Sequence, residues 1–208
     1  MTHARGDISC IILAGGRNSR MGKQKAILRL GGKTIAESQV KKLSGTFGEI
    51  IIVTNTPDAF QNVKAKIIRD ILPNRGPIGG LYSGLSVSSN IHNFLVACDM
   101  PFINVKLIRY MINRIEENDI IIPLSSQGLE TLYAIYSINC LESIMKQIDS
   151  GHFRLADILN FHKVRYITKK EIHEFDPQEI SFFNINTPQD YEEAKNIWKA
   201  RCKQNHIN

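Results

Sequence analysis

Short apolar runs rich in Ile and Val recur along the chain between segments of helical periodicity, the pattern of strands buried on both faces of a parallel sheet. The first run, Ile8–Leu13, leads directly into a Gly-rich loop. A helix is predicted over 34–44, followed by strands over 49–54 and 66–69. After Pro/Gly punctuation at 73–80, the pattern predicts a helix over 81–88 and a strand over 93–98. A helix over 105–117 then precedes strands over 119–123 and 129–136 and a helix over 140–150. The chain closes on a helix whose start is well marked: Thr187 is a good N-cap, Pro188 suits the first helical position, and Gln189 and Asp190 occupy the first turn. Helical spacing places Tyr191, Ala194 and Trp198 on one face, where core packing is expected. The alternation predicts an α/β fold, a three-layer sandwich with a mostly parallel central sheet.

Length and composition narrow the picture. The 208 residues, 43% of them hydrophobic, suffice for a sizeable core, and no internal repeat or linker divides them. Residues 1–200 are expected to form a single domain, with 201–208 as a short polar tail. Residues 1–9 are polar and the apolar run after them stops at a glycine pair, so no signal peptide is read. No apolar stretch approaches the roughly 20 residues of a membrane span. A cytoplasmic protein without membrane contact is expected. The cysteines, Cys10, Cys98, Cys140 and Cys202, form no CxxC pair; Cys202 and His206 alone cannot make a metal site, and the other three thiols are expected to be buried. The six histidines show neither ligand spacing nor a triad. Lys and Arg number 26 against 20 Asp and Glu, a balance that suits a polyanionic ligand or simply a solvated basic surface. The basic residues are scattered and match no nucleic-acid-binding pattern, so no nucleic-acid partner is expected.

Candidate chemistry concentrates in four segments. Residues 13–25, LAGGRNSRMGKQK, follow the first strand at the edge where open α/β sheets bind ligands. Gly15 and Gly16 permit close backbone approach to a phosphate or base, while Arg20 and Lys25 supply charge for a triphosphate. The string is neither a P-loop nor GxGxxG. In the second segment, 94–101, an apolar strand ends at Asp99. Its carboxylate could face the crevice as a magnesium ligand, or it could open a turn and cap the helix near Asn104. Third, Asp70 precedes the run Gly76 to Leu81, in which a helix starting near Gly79 would aim its amides into the crevice; Asp70 could equally be a solvated turn residue. Fourth, residues 182–190, FFNINTPQD, carry Asn184 and Asn186, which can hydrogen-bond a heterocycle or a phosphate, or serve strand-end and cap bonds.

The first string resembles LAGGxSxRMGxxK, the signature of molybdenum cofactor guanylyltransferases, a branch of the nucleotidyltransferases with a Rossmann-like fold. Asn18 stands where that family usually has Ser. Residues 98–102 resemble the family's CDxPF/Y, Asp70 with Gly76 to Leu81 its D...GPLxGI, and 182–190 its FxNINTPxD. Residues 130–136 resemble EPLxAxY, with Thr131 in place of Pro, and Gly151 to Arg154 resemble a GxR segment. The matches run in family order from Leu13 to Asp190. The resemblance implies transfer of GMP from GTP to the phosphate of molybdopterin or Mo-molybdopterin, with release of pyrophosphate. It implies Asp99 as the Mg2+ ligand and Lys25 with Arg20 stabilising charge. Leu13, Ala14, Gly15, Gly16, Asp70 and Gly79 would hold the nucleotide, and Asn184, Asn186 and Arg154 the acceptor; Arg154 could also be a surface arginine. Cofactor-pathway proteins or molybdoenzymes would be its protein partners. Cytidylyl transfer, or transfer to a sugar or polyol phosphate, is the alternative; related cytidylyltransferases read LAAG where this chain has Gly15 and Gly16. A carrier that holds GTP or molybdopterin without catalysis is the rival from another class.

Overall fold

The computed structural model describes residues 7–15 and 28–204. Strand β1 (Ile8–Leu13) is buried along its whole length. A two-residue antiparallel ribbon, β2 (Arg29–Leu30) and β3 (Lys33–Thr34), leads into α1 (Ile35–Leu43), which starts in a capping box: the Thr34 hydroxyl accepts from the Glu37 amide, and the Glu37 carboxylate accepts from the Thr34 amide. There follow β4 (Glu49–Val53), β5 (Lys66–Ile68), α2 (Pro77–Val87) and β6 (His92–Ala97). The second half comprises α3 (Val105–Ile112), β7 (Ile120–Ser125), β8 (Gly128–Leu129), β9 (Tyr133–Ser137), α4 (Leu141–Asp149), β10 (Val164–Ile167), α5 (Lys169–His173) and α6 (Pro188–Gln204).

The main sheet has the order β10-β7-β9-β6-β1-β4-β5, with β8 paired to β7. The pairs of β1 with β4 and β6, of β4 with β5 and of β7 with β10 are parallel. Strand β9 lies antiparallel between β6 and β7.

Alternate residues of the same strands feed two separate cores, as a period of two requires. Cys10, Ile12, Ile52, Phe94 and Val96 pack with Val40, Leu43, Leu107, Ile108 and Met111 of α1 and α3 on one face. Ile11, Leu13, Ile51, Val53 and Leu95 pack with Ile78, Leu81, Leu85, Ile144 and Ile148 of α2 and α4 on the other. This is the expected three-layer sandwich. Cys10, Cys98 and Cys140 are buried thiols, and burial pushes the Cys140 thiol up to about 12. A third, smaller cluster joins Leu28, Leu30, Ile35, Phe102 and Ile185 to Ala194 of α6, with Tyr191 and Trp198 packed against it, so the predicted apolar face of the last helix is a packing face.

Several boundaries differ from the sequence pattern. Helix α2 starts at Pro77, four residues before the expected 81, because Gly79 and Gly80 sit inside the helix instead of ending a turn. Gly79 lies so close to the loop before it that a Cβ would fall 2.6 Å from the Leu72 carbonyl oxygen. Helix α3 stops at Ile112 where Glu117 was expected, and Glu116 takes a positive φ of 42° in the turn that follows. The strand expected over 129–136 divides: Leu129 pairs with β7, a turn closes with the Tyr133 amide donating to the Glu130 carbonyl, and β9 starts at Tyr133. Helix α6 continues through Gln204, four residues into the segment expected as a polar tail.

Candidate functional site

The chain leaves β1 toward β4 and β5 on one side, then returns through α2 to β6 on the other. A crevice opens at such a reversal, outside the carboxyl ends of the strands. Three hydrogen bonds hold those ends flush. The Ala14 amide donates to the Val53 carbonyl at 2.8 Å, the Cys98 amide donates to the Leu13 carbonyl at 2.9 Å, and the Thr54 hydroxyl donates to the Ala14 carbonyl at 2.9 Å. Leu13, Ala14 and Gly15 therefore emerge beside Cys98 and Asp99. Thr54, which secures the loop from beneath, has no distinguishing signal in the sequence. Gly16, Arg20 and Lys25 lie outside the described residues.

Asp99 is half-buried, two residues beyond the end of β6. It does not cap α3. That role falls to Asn104, whose side-chain oxygen accepts from the Lys106 and Leu107 amides at 3.1 and 3.2 Å. The backbone carbonyl of Asp99 accepts a 3.0 Å hydrogen bond from the Ile185 amide. That bond sets Asn184 and Asn186, on either side of Ile185, next to Asp99, although they are more than 80 residues apart in sequence. The Asn184 amide group donates to the Phe182 carbonyl at 2.9 Å. Asn186 is exposed, and its backbone amide donates to the Asp190 carboxylate at 2.7 Å. The same carboxylate oxygen accepts from the Thr187 amide at 2.8 Å, and the Thr187 hydroxyl accepts from the Asp190 amide at 3.1 Å. The helix N-cap is thus Thr187, and Asp190 fixes the backbone that presents Asn186.

Asp70 is held by the start of α2. Its Oδ1 accepts from the Leu72 amide at 3.0 Å and lies 2.8 Å from the Ser83 hydroxyl, which itself accepts from the Ile71 amide at 3.0 Å. Ser83 follows Gly79 by one helical turn, and no motif in the sequence marks it. The N-cap of α2 is Gly76 at φ 67°, with no side-chain cap, Pro77 in the first turn and no acidic residue there. Amides so arranged favour an anion. Gly79 lies in that first turn, and its lack of a side chain also serves the contact with Leu72.

Arg154 has a side chain 81% exposed, with Nε 4.0 Å from the Asp157 carboxylate. Beside it, the Phe153 ring lies under the Arg75 guanidinium, 5.0 Å from its centroid, which brings the 153–154 segment to the loop that opens α2. In the 130–136 segment, Glu130 accepts from the Ser125 hydroxyl at 2.6 Å; burial and the charge of Glu179 raise its pKa, and the Ser125 bond opposes them. The carbonyl of Thr131, in the position where Pro is usual, accepts from the buried Tyr136 hydroxyl at 2.8 Å, which fixes that loop.

Among the described residues no group of three His, Cys, Asp or Glu side chains assembles as a metal cluster. The donor that the crevice offers is a hard oxygen, the half-buried carboxylate of Asp99. That donor fits magnesium, which often takes one or two carboxylates and completes its shell with phosphate oxygens and water.

Residues 10–165 match the model of the MobA-like NTP transferase domain. A Natranaerobius thermophilus protein named as a probable molybdenum cofactor guanylyltransferase is 39% identical over 195 residues, covering 91% of this chain and 95% of that protein. The molybdenum cofactor guanylyltransferase of Desulfosudis oleivorans is 33% identical, covering 93% and 96%. The crystal structure of molybdopterin-guanine dinucleotide biosynthesis protein A from Archaeoglobus fulgidus superposes with a TM-score of 0.81 at 26% identity, covering 92% of this chain and 99% of that one. A Thermus thermophilus cytidylyltransferase shares the fold alone, with a TM-score of 0.71 at 15% identity. The chain therefore belongs to the MobA-like NTP transferase family and is a nucleotidyltransferase.

Proposed function

We propose that this enzyme transfers GMP from GTP to the phosphate of molybdopterin, or of its molybdenum-loaded form, releasing pyrophosphate and forming the guanine dinucleotide cofactor. The observation that carries the reading is the junction of the two halves of the crevice, where the Ile185 amide bonds the Asp99 carbonyl and brings the segment of Asn184 and Asn186 to the end of the strand that carries Asp99. The names of the relatives at up to 39% identity point to the same donor and acceptor.

In this scheme a phosphate oxygen of the acceptor attacks the α-phosphorus of GTP and the bond to the β-phosphate oxygen breaks. Positioning and charge neutralisation do most of the work in such transfers. Leu13, Ala14 and Gly15 line the nucleotide through backbone atoms, together with Gly16, and the first-turn amides of α2, Gly79 among them, face its phosphates. Asp70, held by Ser83, supports the nucleotide at the same edge. Lys25 and Arg20, carried over from the family signature, offset the charge that develops on the transferring phosphate. Asp99 would hold magnesium, which would supply charge neutralisation to the triphosphate when bound. Asn184 and Asn186 orient the pterin, and Arg154 reaches the acceptor phosphate. The reaction belongs in the cytoplasm, where proteins of the cofactor pathway would supply the acceptor and molybdoenzymes would take the product.

Product identification tests the assignment. With GTP, magnesium and molybdopterin, mass spectrometry should find the pterin increased by one GMP, in step with pyrophosphate. Guanosine products without a pterin adduct would contradict the acceptor.

A further inference from the structure

A second cleft, of about 560 Å3, opens on the flank of the molecule between α1, the residues just beyond Asp99, and the end of α6. Its size falls within the range of about 300–1,000 Å3 usual for small-molecule sites. None of the candidate nucleotide or acceptor residues described above lines it.

One wall is apolar and stiff. Leu30, Ile35 and Phe102 belong to the third core cluster, and Trp198 packs against them. Trp198 also covers Gly31, which has a φ of +64° and where a Cβ would collide with the indole, so the ring is held in place. The other wall is cationic. Lys42 and Arg201 both line the cleft, with the Ser38 hydroxyl beside them. Among the described residues neither cation forms an ion pair with a carboxylate. The Arg201 guanidinium lies over the Phe102 ring, 5.6 Å from its centroid, which fixes its position at the rim. Desolvation and the nearby charge of Arg201 lower the Lys42 pKa, and the Cys202 thiol, which also lines the cleft, opposes them. Two like charges beside an apolar wall cost free energy that a bound anion would recover.

We infer that this cleft binds a small amphiphilic anion, with a carboxylate, sulfonate or phosphate head between Lys42 and Arg201 and an apolar body against Phe102 and Trp198. Both chemistries are needed at once: an inorganic anion would leave the apolar wall uncovered, and a neutral apolar molecule would leave the cations unpaired. The inference stands apart from the proposed reaction, since it uses no residue of the nucleotide crevice.

Trp198 is the sole tryptophan of the chain, so its fluorescence reports on this cleft directly. The probe is 1-anilinonaphthalene-8-sulfonate, an aromatic sulfonate, titrated into the full-length protein. Saturable quenching of Trp198 with sensitised probe emission, at one equivalent, is expected. Arg201→Gln and Lys42→Gln should each weaken binding several-fold, and together by about tenfold or more, since each removes a charged partner of the head group. Circular dichroism and pyrophosphate release should be unchanged in these variants. Lys146→Gln, at an exposed lysine of α4, should bind as the parent does. Probe emission without Trp198 quenching, equal affinity in the double variant, or equal weakening by Lys146→Gln would each overturn the inference.

Discussion

The Ile185 amide donates to the Asp99 carbonyl at 3.0 Å, and this single backbone bond joins the half of the crevice built on β1 and β6 to the segment that leads into α6. Because the bond uses backbone atoms alone, the Asp99 side chain can be changed without breaking it. Asp99→Ala should therefore fold normally, with turnover reduced about a hundred- to a thousandfold, the scale found when a major electrostatic group is removed. Circular dichroism and pyrophosphate release measure the two parts. Near-parental turnover would remove Asp99 from the mechanism.

Asp190 gives a subtler case. Its carboxylate accepts from the Asn186 and Thr187 amides at 2.7 and 2.8 Å, so it shapes the loop without needing to touch substrate. In Asp190→Ala those amides lose their acceptor, and stability should fall by about 1–2 kcal/mol. The KM for the acceptor should rise several-fold while the KM for GTP holds. Equal rises in both would point to a general collapse of the crevice.

The glycines of α2 separate packing from function. At Gly84 a Cβ would lie 2.6 Å from Ile11 Cγ2, so Gly84→Ala overpacks the helix against β1. A loss of about 1–3 kcal/mol is expected, which lowers Tm by about 2–12 °C in a domain of this size. Steady-state constants should be unaffected. At Gly79 the Cβ would meet the Leu72 carbonyl, in the loop that follows Asp70, so Gly79→Ala should lower Tm and also raise the KM for GTP. A Gly79 variant with an unchanged KM would leave that glycine a packing residue only.

Acid should find a weak point at Glu171. Burial alone would raise its pKa, but hydrogen bonds from Tyr110 at 2.7 Å and from the Thr168 hydroxyl and amide at 2.7 and 2.8 Å, with the charge of Arg165, lower it to about 2. A pKa depressed on folding contributes stability that is complete above the unfolded value, near 4.5, and is lost as pH falls from there toward 2. Solvent screening at this carboxylate keeps the contribution below the roughly 3 kcal/mol that 1.36 kcal/mol per unit would give. Urea unfolding followed from pH 6 to pH 2 should show Glu171→Gln less stable than the parent at pH 6, with the gap narrowing as the pH falls. A gap that stayed constant would exclude this carboxylate as the source.

Much of this architecture is legible in the sequence because strands buried on both faces are apolar along most of their length: Ile8–Leu13, Glu49–Val53 and His92–Ala97 stand out for that reason. The start of α6 is equally plain, since its cap chemistry is local. What escaped depends on distant partners. The early start of α2 hides because Gly79 and Gly80 read as a turn until the nearness of Leu72 and Leu13 explains them. Strand β10 is short and interrupts its apolar residues with Arg165, which left no strand pattern to read. The antiparallel course of β9 follows from its neighbours β6 and β7 and not from its own residues. In the site, Asp99 is visible as an acid ending an apolar strand, whereas Thr54 and Ser83, which brace the loop and Asp70, are ordinary hydroxyl residues whose role appears only in contact.

The most direct test of the central claim is pyrophosphate release from GTP, CTP, ATP and UTP in turn, each with and without magnesium and molybdopterin. Release from GTP that requires both additions is the predicted result. Release from CTP in place of GTP would overturn the base assignment, and no release from any of the four would contradict the proposed reaction.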